Sequence, residues 1–198
     1  MRIYFLIIIL NFLFSQVTTD NTFNNSRSIA LAGATTSSPG EIESVFNNPA
    51  NLTHNNSTAI LVGEIAFYEQ SFLSYKYLSL KRNNFAFTFQ SLGTKTKSLD
   101  TELSAEKSIT FSHGIILLKD RNSSLRLGYN MNYLRLRQGE SAGSSGDGSD
   151  GIASKKISSF GIDVGLLASL RKKISIGAFV KNINSPKIGR GSNAQYLP

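Results

Sequence analysis

From Thr58 onward, apolar and polar side chains alternate over segments of about eight to fourteen residues, bounded by clusters of Asn, Gly, Ser and charged residues. The alternation is cleanest where Phe85, Phe87 and Phe89 interleave with Ala86, Thr88 and Gln90. It continues with Ile109, Phe111, His113, Ile115 and Leu117 on one parity. Next, Leu125, Leu127, Tyr129, Met131 and Tyr133 stand against Arg126, Gly128, Asn130 and Asn132. Phe160, Ile162, Val164, Leu166 and Ala168 oppose Gly161, Asp163 and Gly165, and Ile174, Ile176, Ala178 and Val180 oppose Ser175, Gly177 and Phe179. Upstream, Thr58 to Phe67 sets Leu61, Ile65 and Phe67 on one parity, blurred by Ile60 and Val62 on the other. Ser71 to Lys81 sets Leu73, Tyr75 and Tyr77 against Ser74 and Lys76. The pattern predicts an all-β chain of about seven antiparallel strands.

A strand of a soluble sandwich averages about five or six residues, whereas a tilted membrane-spanning strand needs about nine to eleven. Several segments here reach the longer figure, and their second face is polar or glycine. That is the pattern of a barrel with an apolar outside and a wet or plugged inside. It places Glu64 and Asp163 toward the lumen and suits Tyr75, Tyr77, Tyr129 and Tyr133 to membrane-interface girdles. Short turns (Glu69-Gln70, residues 81–84, 119–122 and 171–172) alternate with two longer connections, Gly93 to Glu106 and Gly139 to Lys156, as in an up-and-down outer-membrane barrel.

The first residues form a different pattern. Met1-Arg2 precedes an almost unbroken apolar run from Ile3 to Phe14, too short for a comfortable membrane helix of about 20 residues but suited to a signal-peptide core. Residues 1–15 are therefore expected to be a cleaved export signal. Residues 16–57 then form a non-strand segment, and 58–198 a partial β-barrel.

The segment Arg27 to Leu52 is small and apolar at its start and closes on Val45-Phe46-Asn47-Asn48-Pro49-Ala50. Proline fixes its own φ and pushes Asn48 away from the α region, so a rigid turn or cap is expected. The run Arg-x-Ile-Ala-x-Ala-Gly-Ala, then an aromatic and Asn-Pro-Ala, resembles the N-terminal hatch of the FadL-like outer-membrane barrels. The branch it most resembles is the PorV/PorQ group with its spirochaete-type relatives. The matching residues are Arg27, Ala30, Gly33, Ala34, Phe46, Asn48, Pro49 and Ala50. Gly128-Tyr129, Tyr133, Phe160 to Gly165, Ile176-Gly177, Lys181-Asn182-Ile183 and Tyr196-Leu197-Pro198 extend the resemblance over the rest of the chain. It implies a hatch plugging the lumen, with Phe46 and Leu52 anchoring it and Asn47, Asn48 and Pro49 shaping its turn. It also implies passage of hydrophobic molecules or protein secretion to the cell surface, outer-membrane lipid as surroundings, and hydrophobic small molecules or secreted proteins as partners.

The sequence departs from the resemblance in two ways: such barrels have roughly twice as many strands as can be counted here, and they finish on a strand with a terminal aromatic where this sequence has Leu197-Pro198, so it looks like the N-terminal half of one. A truncated product, a half that pairs with another chain, and a soluble remnant are the three explanations. An incomplete up-and-down transmembrane β-barrel with an N-terminal hatch is the expected architecture.

Composition narrows the chemistry. There is no cysteine, which removes disulfides and thiol chemistry, and two histidines, His54 and His113, are too few for a histidine metal cluster. The net charge of +8 is spread singly or in short groups without aromatic interleaving, so no nucleic-acid platform is expected. Asp147 and Asp150 lie in a Gly/Ser-rich stretch with no terminal glutamate and no second copy, which reads as a flexible loop rather than a calcium site. Glu64 and Asp163, two lone carboxylates on separate strands, read as lumen hydration or ion-pair partners rather than an acid/base pair. No catalytic constellation, cofactor or metal is expected: the chain reads as non-enzymatic. A soluble periplasmic β-protein that binds an apolar ligand or partner is the alternative.

Overall fold

The computed structural model describes residues 25–31, 34–38, 42–69, 72–96, 101–140, 149, 151, 153–171, 173–188 and 195–196. The expected signal segment, Gly33, Asp147 and Asp150 lie outside them. Seven strands form one antiparallel sheet in the order β1 (Thr58–Ala66), β2 (Leu73–Arg82), β3 (Phe85–Thr96), β4 (Thr101–Lys119), β5 (Ser124–Gln138), β6 (Lys155–Leu170) and β7 (Ile174–Val180). Each strand pairs only with its neighbours in sequence. β1 and β7 are free edges, so the sheet is up-and-down and not closed into a barrel. A two-residue pair, β8 (Lys187–Ile188) and β9 (Gln195–Tyr196), forms a second sheet beside β6, whose Ser159 Oγ donates to the Lys187 carbonyl at 3.1 Å.

β4, β5 and β6 run 19, 15 and 16 residues, about three times the common strand length. The long connection expected from Gly93 to Glu106 is mostly strand: β3 continues to Thr96 and β4 begins at Thr101, with a register shift at Thr94/Lys95. Gly, Thr, Lys and Ser in that stretch read as turn formers, yet Thr94 Oγ1 donates to the Ser104 carbonyl at 3.1 Å and the ladder carries them through. At the opposite end of the sheet, Asn83 takes φ 54° in the tight β2–β3 turn, a left-handed conformation that asparagine tolerates better than most residues.

Ahead of the sheet lie α1 (Ser26–Ala30) and two 3-10 helices, η1 (Ile42–Phe46) and η2 (Pro49–His54). A further turn, η3 (Phe67–Glu69), follows β1. Asn25 caps α1, its Oδ1 accepting from the Ser28 amide at 2.8 Å, and its Nδ2 donates to the Glu43 carbonyl at 3.0 Å, tying α1 to η1. η1 packs on β1, β2 and β3, and η2 on β4, β5 and β6, so the pre-strand segment covers one face of the sheet. That face is called inner here.

Away from η1 the two faces are inverted relative to a water-soluble sheet. Under the helices the inner face buries Ser79, Thr88, Ser108, Thr110, Ser112, Asn130 and Asp163. The outer face exposes Ile60, Val62, Leu78, Leu80, Phe85, Phe87, Phe89, Ile109, Phe111, Met131, Phe160, Leu166 and Ile176. Cross-strand register aligns these residues into rows. Val62, Leu78, Phe89, Ile109, Tyr133 and Phe160 are successive direct partners, as are Ile60, Leu80, Phe87, Phe111, Met131 and Ile162. The row next to them, toward the β1–β2 turn, is Glu64, Lys76, Ser91, Lys107, Arg135 and Ser158, polar at every position. The apolar belt therefore ends along a single line crossing six strands.

The parity expected for β1 and β2 is reversed. Tyr75 is fully buried, Tyr77 nearly so, and both join Val45, Phe46 and Leu52 in one core cluster, with Leu61, Ile65, Phe67 and Leu73 packed against it. Phe46 meets Tyr77 edge-on with ring centroids 5.6 Å apart. These tyrosines are core under the pre-strand segment, for which hatch is kept as a label, and not girdle. Tyr129 and Tyr133 do lie on the outer face.

Candidate functional site: the hatch and its glycine seat

Asn48 is the centre of the hatch. It is wholly buried; its Nδ2 donates to the carbonyls of Thr36 and Leu166, each at 2.9 Å, and its Oδ1 accepts from the Ala50 amide at 3.1 Å. One side chain thus closes the turn, holds the loop after α1 and grips β6. Pro49 opens η2, where its missing N–H costs nothing. Asn47 lies half-buried, its Oδ1 accepting from Ser28 Oγ at 3.3 Å. Arg27 is exposed on α1, at the rim of a small pocket that it lines with Glu43, Ser44 and Asn47. Of the residues expected to form the motif, the structure brings Phe46, Asn47, Asn48, Pro49 and Ala50 together and leaves Arg27 at the periphery.

The sheet receives this turn on glycine. Gly114, Gly128 and Gly165 are directly opposite one another on β4, β5 and β6. A Cβ on Gly128 would coincide with the Pro49–Ala50 peptide, one on Gly165 with the Asn48 side-chain oxygen, and one on Gly114 would come within 2.7 Å of Thr53 Cγ2. On β7, a Cβ at Gly177 would collide with the Thr36 carbonyl. Any side chain at these positions would hold the hatch backbone off the sheet. The sequence shows each glycine. That three of them form one row beneath Asn48-Pro49-Ala50 follows only from the register.

Asp163 lies on the inner face and is buried. Its Oδ2 accepts from Asn132 Nδ2 at 2.7 Å and Asn130 Nδ2 at 3.2 Å, and its Oδ1 accepts from the Asn182 amide at 2.9 Å. Asn130 Nδ2 also reaches the Val45 carbonyl at 3.2 Å, and Thr110 Oγ1 donates to Asn132 Oδ1 at 2.8 Å. The carboxylate is a structural hub that joins β5, the turn after β7 and the hatch.

Glu64 is not with it. It points to the outer face and pairs with Lys76, directly opposite on β2, at 3.1 Å. The expected lumen position fails because Val45 and Phe46 make the inner face apolar along β1, so both parities of that strand are hydrophobic and the pattern gives no direction. Glu64 and Asp163 stand on opposite faces and cannot act on one substrate atom.

Lys81, buried on the inner face, was not singled out by the sequence pattern. Its Nζ donates to the Asn55 carbonyl at 2.8 Å, Asn55 Oδ1 at 3.0 Å and Ser57 Oγ at 3.1 Å, fixing the passage from η2 into β1. His54 ends η2 beside Arg126, whose Nη1 lies 3.4 Å from His54 Nδ1. Partial desolvation, then the positive charges of Arg126 and Lys81, hold the His54 pKa below its ordinary value. A proton then binds the undocked hatch more readily than the docked one. The His54 contribution to docking is fully present above the free-histidine value of about 6.5 and is lost as pH falls through it toward the lowered value. Cleavage of the hatch by a protease active at both pH values is expected to rise between pH 7.5 and pH 5, and His54→Gln should remove that dependence. An unchanged profile in the variant would assign it to another group.

His113 lies on the outer face, stacked on Phe85 with centroids 4.1 Å apart, its Nδ1 3.2 Å from the Tyr129 hydroxyl. Neither histidine shares a site with Asp163. Among the described residues no group of three or more His, Asp or Glu side chains is placed to hold a metal ion.

Comparison with known proteins gave no match: no family model fits the chain, and neither a curated protein nor a solved structure is similar to it.

Proposed function

We propose that the chain is the hatch-bearing part of a non-enzymatic outer-membrane β-barrel protein of the FadL/PorV-like kind. Its role would be the passage of hydrophobic molecules or the secretion of proteins to the cell surface. The observation that carries this reading is the inversion of the sheet: a continuous apolar belt outside, and hydroxyl, amide and carboxylate groups buried inside beneath a plug. From Phe160 to Leu170 the belt rises about ten residue steps, about 34 Å along the strand. At the usual strand tilt near 40° that is roughly 25 Å along the bilayer normal, the height of the apolar band on outer-membrane barrels. No described helix is long and apolar enough to cross a membrane, which leaves the strands as the spanning elements of this reading.

The two free edges must be paired for the sheet to sit in lipid, because each unsatisfied backbone group in hydrocarbon costs several kcal/mol. The reading therefore includes further strands, and an immunoblot of outer membranes tests it: the native species should be longer than this chain or bound to a second one. It should remain with the membrane through carbonate and high-salt washes; release by osmotic shock would favour the soluble periplasmic alternative.

A substitution separates the two readings within the folded protein. Met131 is exposed in the middle of the belt, and Met131→Lys should cost about 2–4 kcal/mol in a bilayer, where the charge meets hydrocarbon. On a water-exposed sheet it should cost less than about 0.5 kcal/mol. Denaturant unfolding of the native species, with its edge-pairing strands, from phospholipid vesicles measures the difference, and a neutral result in vesicles would sink the membrane reading.

A further inference from the structure

The apolar belt ends on a polar row, and on β4, β5 and β6 that row and the next one out carry four cations. Lys107 on β4 is the direct partner of Arg135 on β5, and Arg137 is the direct partner of Lys156 on β6. All four share the parity of Ile109, Tyr133 and Phe160, so they lie on the outer face at the edge of the belt, and all four are exposed. Side chains directly opposite in an antiparallel pair have Cβ atoms about 5 Å apart, and like charges there are mutually destabilising. The same row handles its other cation differently: Lys76 is paired with Glu64 on the adjacent strand. Lys107, Arg135 and Lys156 form no salt bridge among the described residues, and the positions paired with them across the ladder hold no carboxylate.

We propose that Lys107, Arg135, Arg137 and Lys156 form a docking surface for the phosphate groups of anionic lipid, in the leaflet on the side of the β3–β4 and β5–β6 connections. This rests on the membrane reading above. Phosphate supplies several acceptor oxygens between neighbouring cations, arginine matches it with two parallel N–H groups, and lysine adds point charge. Continuity with the belt selects lipid over a soluble anion: acyl chains packed on Ile109, Tyr133 and Phe160 bring their headgroups to this row. The long stems of the four side chains let the charges reach the headgroup level from strand positions at the belt's rim.

The test is flotation of the native species that contains this chain together with the strands that pair its edges, purified in detergent and diluted onto vesicles of phosphatidylcholine with or without about one-third phosphatidylglycerol. With several cations near the surface the wild type is expected to favour the anionic vesicles roughly a hundredfold at low salt, and less as salt is raised. The combined variant Lys107→Gln, Arg135→Gln, Arg137→Gln, Lys156→Gln should lose most of that preference. A control with Lys119, Arg121 and Lys173 changed to Gln, all exposed at the other end of the strands, should keep most of it. Equal losses in the two variants would assign the effect to net charge and overturn the proposal. So would displacement of the wild type from anionic vesicles by heparin with equal binding of heparin in solution, which points to an acidic macromolecule. Equal, wash-resistant binding to both vesicle types would overturn the docking surface while leaving the membrane reading intact. Carbonate release from zwitterionic vesicles with the anionic preference retained would instead sink the membrane reading and leave the patch as a peripheral lipid site.

Discussion

Gly128→Val should unseat the hatch. The added carbons fall where the Pro49–Ala50 peptide lies, and neither partner can yield cheaply. β5 is held by ladders on both sides, while the peptide is fixed by Asn48 and by burial of Leu52. Overpacking a tight contact costs about 1–3 kcal/mol when side chains can shift, and here backbone meets backbone, so about 3 kcal/mol or more is expected. The loss should appear at the hatch and not in the sheet. Chymotrypsin should cut after Phe46, which is almost fully buried in the wild type, while strand content by circular dichroism stays the same. Ala168→Val adds similar volume on the exposed outer face of β6 and should leave Phe46 protected. A Gly128→Val protein as resistant as wild type would mean that the glycine row does not seat the hatch.

At Asn48 the isosteric change should be worse than the truncation. Asn48→Ala removes three hydrogen bonds, about 1 kcal/mol each net, for roughly 3 kcal/mol. Asn48→Asp keeps the shape but turns a carboxylate oxygen toward the carbonyls of Thr36 and Leu166, both acceptors, and buries an unpaired charge. Groups of that kind cost about 3–5 kcal/mol. The order of denaturation midpoints, followed by the fluorescence of Tyr75 and Tyr77 under the hatch, should be wild type, then Ala, then Asp. If Asp matched wild type, the two donor contacts at 2.9 Å would not be what holds the turn.

The outer parity of β3 to β7 was legible in the sequence because most of their inner positions are small or polar, as with Thr88, Ser112, Asn130 and Asp163, with Leu92, Leu167 and Phe179 as exceptions. Under η1 the rule loses its basis. There Val45 and Phe46 supply an apolar surface, so Leu61, Tyr75 and Tyr77 turn inward while Ile60, Val62 and Glu64 turn out. Hydrophobicity tells which positions avoid water but not which of two apolar surroundings they choose. The turn at Asn48-Pro49 was legible because proline acts locally. Its seat was not, because Gly114, Gly128 and Gly165 meet only through two independent strand registers. The polar row from Glu64 to Ser158 needs five such registers and is invisible one strand at a time.

The sheet has an odd number of strands, each reversing the one before, so its first and last members point the same way. A second copy of this sheet standing upright beside it would therefore meet β7 with a β1 running parallel. An inverted copy could pair antiparallel, but in the membrane reading proposed above that would exchange the ends of the strands across the bilayer. If both free edges are to be satisfied antiparallel, whatever adjoins them has to bring an odd number of strands. Self-assembly in one orientation would leave a parallel seam at every junction, so within that membrane reading complementation by a different piece of polypeptide is the arrangement the strand directions favour.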